Sequence, residues 1–328
     1  RAGGVAALAF FLPFEGANAI DVSLLVEQAS FATKFRIELG GMRYFLKCRL
    51  LKEEPEILFD EATKAVFFHQ NKVPVPELIP AKSGRNAVEA HDRSWILYRF
   101  VDGDHFTGRG RELENAADGF GRLSLAAHDF GLVSKDEIAR STIDNDELSS
   151  LLEISAKRDL ADKKLTALLS AYRKSIDAQI EEVVMERKIV EAKYSFTHAD
   201  YHPMNLLLKD GSLVCILDFE DMKIYPLLSA LGFGAYKLIR QMLVNLGPEE
   251  VKTLSPGFVN CWIDGWRRSF PHDKVTAYEL AMGAKYRVLE SIRVILHNYL
   301  QCGDSTCNYD LAKQIGSLFE IDKIFGQN

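Results

Sequence analysis

The chain has 328 residues, with 40 Lys and Arg against 46 Asp and Glu, a formal net charge of −6, and 47% hydrophobic residues. That length suits two domains or two large lobes, and the composition is that of a packed globular protein rather than a disordered one. The acidic balance argues against a nucleic-acid partner.

Val5–Leu12 is an apolar run behind Arg1. It is too short to span a bilayer and lacks a small-residue cleavage site before Pro13-Phe14-Glu15, so it reads as a buried segment, and no membrane association is expected. Arg1 rather than Met opens the sequence, so a start further upstream is expected. Phe31–Glu38 and Met42–Cys48 alternate apolar and polar residues around Gly40-Gly41, the pattern of a β-hairpin. From Pro55 to Gln70, Ile57, Phe59, Ala62, Ala65 and Val66 fall at helical spacing, and Val73-Pro-Val-Pro76 stops that helix. Leu78-Ile79 and Ser94–Val101 read as strands, closed by Asp102-Gly103. Helix is predicted over Leu113–Phe130, and charged amphipathic helices over Asp146–Glu191. Strands at Tyr194–Thr197, Asn205–Leu208 and Leu213–Leu217 surround a turn at Lys209–Ser212, and Leu227–Phe325 is again helical. The order is a strand-rich region followed by a helical one, with a hinge expected near Phe100 to Asp104.

Cys48, Cys215, Cys261, Cys302 and Cys307 are odd in number and show no zinc-ligand spacing. Free thiols in a reducing cytoplasm are expected.

The chemistry concentrates in Thr197-His-Ala-Asp-Tyr-His-Pro-Met-Asn205 and Leu217-Asp-Phe-Glu220, of the forms H-x-D-x-x-x-x-N and D-F. Phosphoryl transfer needs a carboxylate to orient a hydroxyl and oxygen ligands to hold magnesium against phosphates. Asp200, Asn205 and Asp218 supply those groups, and the Asp210-Gly211 turn brings Asp218 back toward Asn205.

These motifs resemble the aminoglycoside phosphotransferase/choline kinase-like family, relatives of the protein kinases. The resemblance runs in order from about Ser30 to Glu220. Lys47 in Tyr44-Phe-Leu-Lys47 resembles the strand lysine that grips nucleotide phosphates, and Glu61 its helix partner. Val73–Pro76, Tyr98–Gly103 and Leu125-Ala-Ala-His128 resemble the family's interlobe link, hinge strand and Leu-His helix. The resemblance implies an α+β, protein-kinase-like fold of two lobes, with residues 1–101 a nucleotide-binding lobe of antiparallel sheet and 102–328 a helical lobe with the catalytic loop and acceptor site. It implies ATP and Mg2+ as cofactors and a small-molecule hydroxyl substrate, with Asp200 as catalytic base, Asn205 and Asp218 on the metal, and Lys47 on phosphates. Phe100 to Asp102 would meet adenine through their backbone, and His198 would brace the loop.

Two positions depart from the family. The phosphate loop falls near Gln28–Thr33 and has no glycine, leaving the hydroxyls of Ser30 and Thr33 in its place. Leu227-Leu-Ser-Ala-Leu231 lacks the acidic residue of the Asp-Leu-Ala motif. A kinase-fold scaffold without turnover is therefore the alternative reading. His128 and His202 read as structural, and Trp262 and Trp266 as core or lobe-packing residues, with lining of a substrate pocket the lesser alternative. Arg287, Glu290 and Arg293 read as a solvated salt-bridge face, with anchoring of an anionic substrate the lesser alternative. Asp102 and Asp104 suit a cationic substrate or a hinge turn equally. Among acceptors, Tyr98–Gly108 and His198–Pro203 resemble homoserine-kinase-like and spore-coat-kinase-like branches.

Overall fold

In the computed structural model, residues 7–12, 20–26, 32–50, 56–130, 145–157, 163–218, 222–271, 274–302 and 307–326 are described. The chain divides into two units: Arg1–His105 with Asn205–Asp221, and Phe106–Met204 with Met222–Asn328.

The first unit is built on an antiparallel sheet of β1 (Ile20–Val26), β2 (Thr33–Leu39), β3 (Met42–Leu50), β6 (Arg93–Arg99) and β4 (Leu78–Ile79) in that order, with β5 (Val88–Ala90) also paired to β6. Gly40 and Gly41 both take positive φ, as a tight two-residue hairpin requires. His91 and Asp92 form a second such turn between β5 and β6, at φ 53° and 58°. That turn carries no glycine and was not anticipated from the sequence.

Alternation gives the sheet two different faces. Phe35, Ile37, Tyr44, Leu46, Cys48, Trp95 and Leu97 pack on one, with Ala7, Leu8, Phe11 and Leu12 from the N-terminal segment. Ile96 and Tyr98 occupy the other, against Ala62 and Ala65 of α1 (Glu56–Gln70). Lys47 pairs across the sheet with Ile96 and therefore shares the α1 face. A smaller sheet joins β7 (Asp104–His105), β9 (Leu206–Lys209) and β10 (Ser212–Ile216), with Asp210-Gly211 as its hairpin turn.

The second unit holds α2 (Glu112–His128), α3 (Asn145–Lys157), α4 (Lys163–Met185), α5 (Arg187–Val190), α6 (Leu227–Leu243), α7 (Pro248–Ser269), α8 (Ala277–Cys302) and α9 (Cys307–Phe325). A two-stranded ribbon pairs β8 (Tyr194–His198) with β11 (Met222–Pro226), placing Met222 opposite His198. Trp262 and Trp266 are core residues, as expected. The buried ammonium of Lys285 bridges Glu182 on α4 and Asp322 on α9. No described helix is long and apolar enough to cross a membrane.

Glycines set the closest helix approach. A Cβ at Gly232 of α6 would lie 2.2 Å from the Leu280 carbonyl oxygen, and one at Gly283 of α8 would lie 2.2 Å from that of Leu228. Both obstacles are backbone, so a methyl group can enter only if the helices part. Gly232→Ala is expected to lower the urea midpoint by the equivalent of about 3 kcal/mol. Gly316 on α9 has open space around it, so Gly316→Ala should instead raise stability by roughly 0.5–1 kcal/mol. Equal midpoints for the two variants would show that the α6–α8 contact is not set by these glycines.

Candidate active site

In the first unit, the ammonium of Lys47 donates to Glu61 Oε2 at 2.8 Å, and the Tyr98 hydroxyl donates to Glu61 Oε1 at 3.1 Å. Lys47 is 1% exposed. Both carboxylate oxygens thus have donors, which a buried ion pair requires to offset its desolvation. The registers explain the convergence: Lys47 and Tyr98 point to the α1 face, where Glu61 sits. Tyr98 was not singled out as a site residue from the sequence.

Lys34 on β2 stands directly across from Lys47. Two like charges at such positions repel unless each has an anion. Lys47 has Glu61, and Lys34 Nζ meets Asp218 Oδ1 at 3.0 Å. Asp218 itself takes φ 56°, the left-handed region that costs a non-glycine residue about 1–3 kcal/mol and that clusters at functional positions. Leu217 N–H donates to the Asn205 carbonyl at 2.8 Å and Ile216 N–H to that of Pro74 at 2.7 Å, fixing the approach to Asp218. Asn205 is buried at the end of a 3-10 turn, Pro203–Asn205.

Thr33 is partly buried at the start of β2, and Ser30 lies outside the described residues, as does most of Gln28–Thr33. Phe100 N–H donates to the Arg43 carbonyl, and Arg43 lies 5.4 Å over the Phe100 ring while its guanidinium holds the exposed carboxylate of Asp102. The Asp102 carboxylate is thus partnered by Arg43.

In the second unit, Asp200 follows β8 on a loop held by two histidines. Asp200 N–H donates to His198 Nδ1 at 3.3 Å, and Met204 N–H donates to His202 Nδ1 at 3.2 Å. Since His202 Nδ1 accepts, its proton sits on Nε2, which points at Asp200 Oδ2 from 3.2 Å. His202 therefore orients the Asp200 carboxylate directly, a contact that its sequence reading as a structural residue did not include. Burial pushes the Asp200 carboxyl up, but the hydrogen bond from His202 and the electrostatic pull of His202, Arg287 and His198 outweigh it and hold the group down at about 2. Arg287 Nε donates to the Ala199 carbonyl at 3.1 Å. The expectation of a solvated face over Arg287, Glu290 and Arg293 needs correction: all three are partly buried, with Arg287 on Glu290 and Arg293 on Glu147. His128 is exposed beside Asp129.

Among the described residues, no group of three or more His, Cys, Asp or Glu gathers as a metal site. The Asn205 amide and Asp218 carboxylate still fit magnesium, which keeps several waters and takes few protein oxygens. The Lys34 ammonium on Asp218 shows that this carboxylate attracts a cation.

Residues 21–241 match the phosphotransferase enzyme family, APH. A search of curated proteins found no match. Among solved structures, the chain is similar to spectinomycin phosphotransferase APH(9)-Ia in complex with ADP and spectinomycin, at 14% identity over 93% of this chain and 92% of that one, with a TM-score of 0.62. It is similar to an aminoglycoside phosphotransferase from Alicyclobacillus acidocaldarius subsp. acidocaldarius, at 12% identity over 94% and 92%, with a TM-score of 0.60. It is also similar to a microcompartment-associated aminopropanol kinase, at 15% identity over 95% and 93%, with a TM-score of 0.58. At such identities the likeness speaks to fold, which is α+β and protein-kinase-like. With two-thirds of its length matched, this chain belongs to the phosphotransferase enzyme family.

Proposed function

We propose that this chain transfers the γ-phosphate of ATP to a hydroxyl of a small metabolite. The observation that carries the reading is Asp200: a carboxylate held ionised on a loop braced by two histidines, in a chain of the phosphotransferase family. Residues 1–101 are read as the nucleotide-binding lobe and 102–328 as the lobe with the catalytic loop and acceptor site.

Asp200 orients the acceptor hydroxyl and receives its proton as the new O–P bond forms and the bond to the β,γ-bridging oxygen breaks, releasing ADP. Lys47, steadied by Glu61 and Tyr98, neutralises phosphate charge. Lys34 joins it as a second cation on the same face of β2 and β3, which offsets the lack of glycine in Gln28–Thr33. Asn205 and Asp218 hold magnesium, which when bound neutralises charge on the phosphates. The likeness to structures holding ADP or AMP supports the nucleotide as the donor.

Melting temperature with ATP or GTP, with and without magnesium, tests this reading, since a ligand that binds only the folded state raises the midpoint. A magnesium-dependent rise that Asp218→Asn abolishes is expected, followed by ADP release with a hydroxyl acceptor. No rise at millimolar nucleotide would favour an inactive scaffold on the same fold.

A further inference from the structure

Lys237, on α6, is a partly buried ammonium that makes no ion pair and no hydrogen bond among the described residues. Its Nζ instead rests over the rings of Phe233 and Tyr236, at 4.9 and 5.1 Å from their centroids. Burial foremost, with repulsion from Lys313 and Arg240, brings it down to about 8 against the opposite pull of Asp200 and Glu320. Those two carboxylates serve other donors. Glu320 accepts from Arg240 Nε and from the Tyr236 hydroxyl, and Asp200 faces His202 Nε2.

The lysine stands close to the catalytic loop. Arg287 lies 5.3 Å over the same Phe233 ring and donates to the carbonyl of Ala199, the residue before Asp200. One residue along α6, a Cβ at Gly234 would stand 3.4 Å from the Tyr201 ring, next after Asp200. Phe233 is thus shared by two cations, one of them fixed to the backbone beside Asp200. Aromatic faces stabilise a desolvated ammonium only in part, so an anion arriving there would supply the missing partner. An ammonium-bearing ligand would meet repulsion.

We propose that Lys237, with Phe233 and Arg287, forms an anion subsite for the acceptor, so that the hydroxyl substrate carries a carboxylate or phosphate group rather than the ammonium groups of amino alcohols and aminoglycosides. Calling that ligand the acceptor rests on the phosphotransfer reading above.

The test is the melting temperature, with and without saturating Mg·ADP, in the presence of inorganic phosphate, D-glycerate, glycerol 3-phosphate, ethanolamine or 1-amino-2-propanol. The three anions are expected to raise the midpoint and the two amino alcohols to leave it unmoved. The apparent Kd for the anions should rise about tenfold or more in Lys237→Met and recover in Lys237→Arg. Glycerate against glycerol 3-phosphate separates carboxylate from phosphate. Removing an unpaired, partly buried charge should leave unliganded Lys237→Met melting no lower than wild type, so loss of fold does not explain lost binding. A rise with amino alcohols instead of anions, no rise with any anion at about 50 mM, or an anion effect that Lys237→Met leaves unchanged overturns the subsite. Failure of the phosphotransfer reading looks different: anions bind through Lys237 but Mg·ATP gives no shift.

Discussion

Asp200→Asn is expected to lower kcat by about 10²–10⁴-fold while the rise in melting temperature with Mg·ATP persists. The substitution keeps size and still offers His202 Nε2 an oxygen, so the loop geometry holds while the negative charge goes. A carboxyl held at about 2 is a weak base toward a neutral alcohol. Its work is to orient the hydroxyl and to take the proton late, once bonding to phosphorus has made that proton acidic. The pH dependence follows from the sign of the shift. The folded-state value lies below that of an unfolded aspartate, so this group contributes stability that is complete above about pH 4 and is lost as the pH falls toward about 2. Across roughly pH 5 to 9 it stays ionised, and kcat/KM should show no limb belonging to it. A variant that keeps kcat within about threefold of wild type would remove Asp200 from the chemistry.

Lys47→Met should destabilise the fold by about 3–5 kcal/mol, read as a fall in the urea midpoint. The side chains of Lys47 and Glu61 are 1% and 5% exposed, so removing the ammonium leaves a carboxylate out of water with, among the described residues, the Tyr98 hydroxyl alone to hold it. The double variant Lys47→Met with Glu61→Leu removes both charges and should regain most of that loss, because an apolar pair fills the same space without desolvation cost. It should not regain the Mg·ATP shift. That split separates the part of the pair that folds the sheet onto α1 from the part proposed to meet phosphate. Restored nucleotide binding in the double variant would assign the pair to folding alone.

Several elements were legible because local chemistry decides them. Gly40-Gly41 and Asp210-Gly211 specify tight hairpins through positive φ. Ala62 and Ala65 at helical spacing made the buried face of α1 readable, and Val73-Pro-Val-Pro76 made its end readable. Other strands were less so. β1, β5, β7 and β11 exist because a neighbour accepts their hydrogen bonds, and two or three residues such as Asp104-His105 carry no period of their own. The His91-Asp92 turn likewise gave no signal, since neither residue demands the left-handed backbone it adopts.

By itself, the sequence determined the residue types and spacing of the proposed site: a carboxylate at Asp200, the oxygen-bearing side chains of Asn205 and Asp218 proposed for the metal, a strand lysine at 47 and a helix glutamate at 61. Which atom faces which was decided by tertiary structure alone. Strand register set Lys34 opposite Lys47 and turned Tyr98 onto Glu61. A backbone N–H on His202 Nδ1 fixed the tautomer that donates to Asp200. Lys237 rests on two rings of its own helix, and helix packing brought near it a Glu320 already engaged with other donors. The physical reason is common to all three: a charge is defined by its chemistry, but its partners and its solvent are defined by the path of the folded backbone, whether they come from the next turn of the chain or from a distant strand.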